Sequence, residues 1–137
     1  MPKERLVVIG GDTAEMSAAS QARRRRPELD ILVFERSPHM SYSACGIPYY
    51  VGDVLRKVEA LIAHTPQIFR EKYHIDARLF HEVTEIDLRQ QRVRVQQVDG
   101  GHAWWEPFDQ LLIATGAVPV RPDVRGGGFL CKRFTHL

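Results

Sequence analysis

Residues 5–35 read RLVVIGGDTAEMSAASQARRRRPELDILVFE, and the order of side chains in that stretch sets the class of fold. Arg5 to Gly11 is a short apolar run closing in two glycines, the pattern of a central parallel strand that meets a phosphate-facing turn. Asp12 stands where a helix cap belongs, and the segment from Thr13 onward places Ala14, Ala18 and Ala22 on one face. It ends in Arg23 to Arg26, cations suited to the negative end of a helix. Pro27 stops that helix, and Ile31 to Phe34 forms a second buried strand closing on Glu35. Strand, helix and strand in succession predict a right-handed parallel crossover.

Working outward, Thr65-Pro66 is a cap followed by a first-turn proline and predicts a short helix over Gln67 to Tyr73. Asp76 to Glu82 and Val83 to Leu88 follow one another, a polar turn at Arg89-Gln90-Gln91 leads to Arg92 to Val98, and Asp99-Gly100-Gly101 turns into Ala103 to Trp105, which predicts a β-meander over about residues 83–106. It reads as an insertion, with Trp104 and Trp105 as a packed strand edge. Phe108 to Ala114 restores the buried type of strand and runs into Thr115-Gly116. The expected class is α/β, a parallel sheet carrying a meander. Gly52 to Ala63 has no decisive pattern.

The composition is that of an ordinary globular domain: 137 residues, 44% hydrophobic, 26% charged, net charge +2. The basic excess gathers in Arg23 to Arg26, too small a patch for a nucleic-acid reader. No apolar run approaches the roughly 20 residues of a membrane span, and the start lacks a signal-peptide core. A cytoplasmic, reducing location is the default expectation, where Cys45 and Cys131 would form no structural bridge. The six histidines show no metal-ligand spacing and are read as surface residues, so no metal is expected.

Two features carry chemistry. Gly10-Gly11 after a strand, with Glu35 at the end of the next strand, is a dinucleotide-binding arrangement: a helix N-terminus for a diphosphate and a carboxylate for a ribose. Counted from Gly10, the second and third glycines of the full fingerprint are replaced by Asp12 and Glu15. Those two are spaced as a capping box and add negative charge beside an anionic ligand, so Glu15→Gly is expected to tighten cofactor binding. The second feature is Ser41-Tyr42-Ser43-Ala44-Cys45-Gly46-Ile47-Pro48-Tyr49-Tyr50, with one cysteine and no neighbouring partner. Its sulfur is either a small hydrophobe or a single-sulfur redox centre working as a sulfenic acid or mixed disulfide.

Residues 7–53, VVIGGDTAEMSAASQARRRRPELDILVFERSPHMSYSACGIPYYVGD, together with LLIATGAVPVRP at 111–122, resemble the single-cysteine flavoprotein disulfide reductases: coenzyme A disulfide reductase, NADH oxidase and NADH peroxidase. The resemblance implies a Rossmann-like FAD-binding domain over residues 1–123. It places Gly10, Gly11, Thr13 and Ala14 along the FAD pyrophosphate, Glu35 on the adenosine ribose and Arg36 beside the adenine. Val83 would meet the adenine through its backbone, and Ala114, Thr115 and Gly116 would approach the ADP part. Cys45 would be the catalytic thiol facing the flavin. Relatives that reduce coenzyme A disulfide hold their substrate with residues matching Ser17, Gln21, Arg24 and Ser41; they carry asparagine where this chain has Ala44.

The same resemblance implies electron flow from NAD(P)H through FAD to Cys45, a small thiol or disulfide of the coenzyme A type as substrate, and a homodimer of the longer enzymes. It implies no nucleic-acid or membrane partner. Residues 124–137 depart from the relatives and are read as a divergent, out-of-frame tail of an incomplete domain, with the NAD(P)H and dimerisation domains absent. The rival reading is a non-catalytic nucleotide-binding or interaction module.

Overall fold

The strand β1 (Arg5–Ile9) sits inside the molecule because neither of its faces is polar: Val7 and Val8 are fully buried and Leu6 and Ile9 nearly so. In the computed structural model, which describes residues 3–118 and 120, β1 pairs in parallel with β2 (Asp30–Phe34) on one side and β7 (Gln110–Ile113) on the other. The strand β3 (Asp76–Arg78) adds to β2, giving a four-stranded parallel sheet of order β3-β2-β1-β7. Between β1 and β2 runs the helix α1 (Thr13–Arg25), ended by Arg26 just before Pro27.

Alternation along the strands divides the core. Leu6, Val8, Ile31 and Val33 point to one face, where they meet Met16 and Ala19 of α1 and Phe69 of the helix α3 (Pro66–Tyr73). Val7, Ile9, Leu32 and Phe34 point to the other, where they meet Val93 and Val95. Those two valines belong to β5 (Arg92–Gln97) of an antiparallel sheet ordered β4-β5-β6, with β4 at His81–Asp87 and β6 at Ala103–Pro107. The molecule is thus helices, parallel sheet and antiparallel sheet in three layers, as the α/β reading expects. The meander covers an apolar face of the central sheet. Without it, the side chains at alternate positions of β1 and β2 would face water.

Several local expectations change. The side chain of Asp12 makes no cap bond to α1, so its half of the capping box does not form. Ala14 is exposed and Ala18 half-buried; the packed face of α1 is Glu15, Met16 and Ala19, because that stripe faces the sheet. Asp76 to Arg78 joins the parallel sheet, and the meander begins only at His81. The strand β7 is a half-open edge, with Ile113 56% exposed. The Thr65 expectation holds: its hydroxyl accepts from the Ile68 N–H at 3.4 Å ahead of Pro66.

The arginine cluster splits by position. Arg23 donates to the carbonyls of Tyr73, His74 and Pro27, tying the end of α1 to the end of α3. Arg26 pairs with Glu4 and Glu28. Nor are all the histidines surface groups: His81 is half-buried against Phe34 and Trp104 with its Nδ1 2.6 Å from the Leu79 carbonyl, and His64 packs on Phe69 and Tyr73. Cys131 and the tail at 124–137 lie outside the described residues.

Candidate functional site

The turn after β1 is shaped by two glycines with different constraints. Gly10 has φ +108°, which L side chains rarely adopt, and a Cβ there would press on the Ala114 carbonyl and the Glu15 carboxylate. Gly11 has ordinary backbone, but a Cβ would meet the side chain of Glu35 at 2.8 Å. Backbone bonds pin the turn, Gly10 N–H donating to the Phe34 carbonyl at 2.8 Å and Ala114 N–H to the Ile9 carbonyl at 3.2 Å. The Glu35 carboxylate accepts from the Gly11 N–H at 2.8 Å and from the Ser37 N–H at 2.7 Å, so its position at the end of β2 is set by the turn itself.

Glu15 is the one buried charged residue among those described, 4% exposed. Its carboxyl lies under Gly10 at the start of α1. Burial pushes that carboxyl above its ordinary range and the charges of Asp12 and Glu35 push the same way, against hydrogen bonds from the backbone N–H groups of Glu15 and Asp12. Tyr42 is shifted further above its usual alkaline range by burial and by the same two carboxylates, Asp12 and Glu35.

Two clefts flank the turn. One of about 300 Å³ brings together Gly10, Glu35, Arg36, Val83, Thr115 and Gly116, six residues drawn from the ends of β1, β2 and β7 and from β4. Gly11 and Ala114 line neither cleft; Gly11 is bound to Glu35 and the Ala114 carbonyl lies beside Gly10. His81 and Glu82 also line it, and Glu82 pairs with Arg36 at 3.7 Å. Sequence reasoning missed these two, although their place directly before Val83 on one strand was a usable signal. The other cleft, about 650 Å³, holds all of Ser17, Gln21, Arg24 and Ser41, from the outer face of α1 and the loop beyond β2. Its aromatic wall of His64, Phe69 and Tyr73 was also missed; the i, i+4 spacing of Phe69 and Tyr73 on α3 pointed to it. Thr13 opens onto this second cleft and Ala14 is exposed outside both, so these two separate from the rest of the cofactor set.

The cysteine loop is stitched to the turn. Ser41 N–H donates to the Gly11 carbonyl at 2.8 Å, Ala63 N–H to the Ser41 carbonyl at 2.9 Å, and Ser43 N–H to the Leu61 carbonyl at 2.6 Å. Ser41 holds a left-handed backbone, φ 51°, between two of those bonds. Cys45 follows in a single 3-10 turn, Ala44–Gly46, and its free thiol is exposed; it lines neither cleft. Gly46 is required by packing, since a Cβ would stand 2.6 Å from Leu61 Cδ2. Among the described residues no group of three or more His, Cys, Asp or Glu is placed to hold a metal, and no helix is long and apolar enough to cross a membrane.

A dinucleotide fits this arrangement in its main parts. The two glycines leave a cradle that a Cβ would fill, and a carboxylate stands at the end of the adjacent strand. The exception is Glu15, whose carboxylate occupies the cradle.

Comparison with known proteins agrees. Residues 4–136 match the family described as pyridine nucleotide-disulphide oxidoreductase. The chain is 40% identical over 126 residues to an NAD(P)H sulfur oxidoreductase (CoA-dependent) of Pyrococcus furiosus, covering 92% of this chain and 27% of that protein. It is 33% identical over 113 residues to a coenzyme A disulfide reductase of Staphylococcus epidermidis, covering 82% of this chain and 26% of that one. Among solved structures, reduced Bacillus anthracis CoADR-RHD superposes with a TM-score of 0.84 at 28% identity over 90% of this chain and 22% of its own. An NAD-dependent persulfide reductase from A. fulgidus gives 0.81 at 32% identity, over 88% and 23%. The chain therefore spans about a quarter of the length of these relatives.

Proposed function

The chain belongs to the pyridine nucleotide-disulphide oxidoreductase family, and from that premise we propose that it is the FAD-binding part of a flavoprotein that passes electrons from NAD(P)H through FAD to Cys45. The reaction served is reduction of coenzyme A disulfide or a related disulfide, or of O2 or peroxide. The observation that supports it is a pair of clefts, one gathering Gly10, Glu35, Arg36, Val83, Thr115 and Gly116 and the other Ser17, Gln21, Arg24 and Ser41.

In this reading Gly10 and Gly11 admit the diphosphate of FAD, Glu35 accepts from the ribose hydroxyls, and Arg36 and Val83 border the adenine. Ala114, Thr115 and Gly116 close the turn from β7. FAD, when bound, supplies the two electrons, drawn from NAD(P)H. Arg24, with the hydroxyls of Ser17 and Ser41 and the amide of Gln21, holds the anionic and polar parts of a coenzyme A type thiol. A thiolate at Cys45 attacks one sulfur of the incoming disulfide, forms a mixed disulfide and expels the other half as a thiolate, which takes its proton from solvent; two electrons and a proton then return Cys45 to the thiolate and free the second half as a thiol. A cytoplasmic location and a homodimer of the longer enzymes accompany the proposal.

A second reading, a nucleotide-binding or interaction module without chemistry, is favoured by the Glu15 carboxylate in the cradle and by Cys45 lying outside both clefts. The visible spectrum of the purified chain mixed with FAD separates the two. A bound flavin with long-wavelength absorption that vanishes in Cys45→Ser supports the flavoprotein reading. A folded protein that leaves FAD free in solution supports the module.

A further inference from the structure

The carboxylate of Glu15 is where a diphosphate ligand needs an absence of charge. Its oxygen lies 2.3 Å from where a Gly10 Cβ would be, inside the space the glycine leaves open. It is buried at the start of α1, where the free helix N–H groups would receive an incoming phosphate. Facing it are Asp12 at the helix start, Glu35 at the end of β2 and, from the cysteine loop, the Tyr42 phenol close to the same two carboxylates. None of these is a cation. The β7 side contributes the Ala114 carbonyl. Farther along the nucleotide-type cleft stand Arg36, His81 and Glu82.

We propose that Glu15 is a proton-coupled gate on the diphosphate position, so that a dinucleotide enters the turn with uptake of one proton at the Glu15 carboxyl. This rests on the FAD-binding reading. An ionised Glu15 beside Asp12, Glu35 and a diphosphate would put like charges together in a partly buried space, whereas the neutral acid leaves the ligand the helix amides and can donate a hydrogen bond to it. Burial and the same neighbours already push the Glu15 carboxyl above its ordinary range, and the charge of a diphosphate would push it the same way. The gate is particular to this chain's side chain at the third fingerprint position, where glycine has nothing to protonate.

The test is FAD binding to the whole chain by flavin fluorescence across pH, for wild type, Glu15→Gln and Glu15→Gly. Wild-type affinity should rise as pH falls, approaching about tenfold per pH unit where one proton is taken up. Glu15→Gln should lose that slope and, at about pH 8, bind about tenfold or more tighter than wild type. Contributions from Arg36, His81 and Glu82 are common to both proteins, so the difference isolates Glu15. Equal slopes in the two proteins overturn the gate. If no variant binds FAD at any pH, the flavin-site reading is what fails, and the carboxyl resonance of Glu15 then decides the gate with ADP as the probe. Titration above the ordinary carboxylate range, moving higher with ADP, supports it; titration in the ordinary range unmoved by ADP overturns it.

Discussion

The glycine turn and the cysteine loop lie side by side, joined by the bond from Ser41 N–H to the Gly11 carbonyl, yet they are built on opposite terms. The turn is determined by its surroundings: Gly10 by its backbone angle and its neighbours, Gly11 by the Glu35 side chain, and both by the ladders of β1, β2 and β7. The loop holds its cysteine in the open, with Cys45 exposed and only the flanking Ser41, Ser43 and Gly46 pinned. A sterically fixed turn thus stands beside a surface turn that carries a thiol. Changes in the turn should therefore register as stability, and changes at Cys45 as reactivity.

The hardest blow to that contrast comes from the shared support. Phe34 is buried at the end of β2 and packs edge-on to Trp104 of the antiparallel sheet, ring centroids 6.3 Å apart. Phe34→Ala should lower the urea-unfolding free energy by about 3–5 kcal/mol, and a loss below about 1 kcal/mol would mean that the two sheets are not packed as described. Gly10→Ala is next, expected to cost roughly 1–3 kcal/mol from left-handed backbone and crowding against Ala114 and Glu15. Unchanged stability in that variant would break the idea that the turn is determined by sterics.

Smaller effects sharpen it. The raised Glu15 value gives a folded chain that binds a proton more readily than the unfolded one, so its contribution to stability is complete below the unfolded value and is lost as pH rises through the folded one. Thermal midpoints of the ligand-free chain should fall with rising pH over that window, and Glu15→Gln should flatten the fall. Thr65→Ala removes a long cap bond to Ile68 and should cost about 0.5–1 kcal/mol by denaturant titration. Cys45→Ser should change stability by less than about 0.5 kcal/mol while removing labelling at position 45 by a thiol reagent, read by peptide mapping because Cys131 is a second thiol in the chain. A large loss of stability there would place the sulfur in a packed site and undo the contrast.

Much of this was legible in residues. Leu6 to Ile9 and Ile31 to Phe34 have no polar face, so burial in a parallel sheet was the only outcome open to them, and Thr65-Pro66 states its helix start in two side chains. The resemblance to flavoprotein reductases names six residues of the smaller cleft and four of the larger; of the remaining cofactor set, Gly11 and Ala114 only adjoin lining residues, Thr13 lines the larger cleft and Ala14 lines neither. Less legible were Asp76 to Arg78, whose short polar-flanked run joins the sheet because β2 leaves an open edge, and His81, whose neighbours Phe34 and Trp104 come from distant segments. Glu15 is the sharpest case. Spacing marked it as a departure from the fingerprint, yet the Asp12 side chain makes no cap bond and the Glu15 carboxylate lies in the space beside Gly10.

By itself the sequence determined the alternation of strand, turn, helix and strand, the two glycines, the acid at the end of β2 and a lone cysteine, because these depend on local backbone preference and on periodicity. Tertiary structure alone decided that the meander is a layer covering the central sheet, that α1 turns Met16 and Ala19 inward, and that the Glu15 carboxylate lies against Gly10 while the Glu35 side chain lies against Gly11. Each of those is a matter of which surfaces meet across distances that no local pattern encodes. Burial and charge act on a side chain only through the neighbours that packing brings to it.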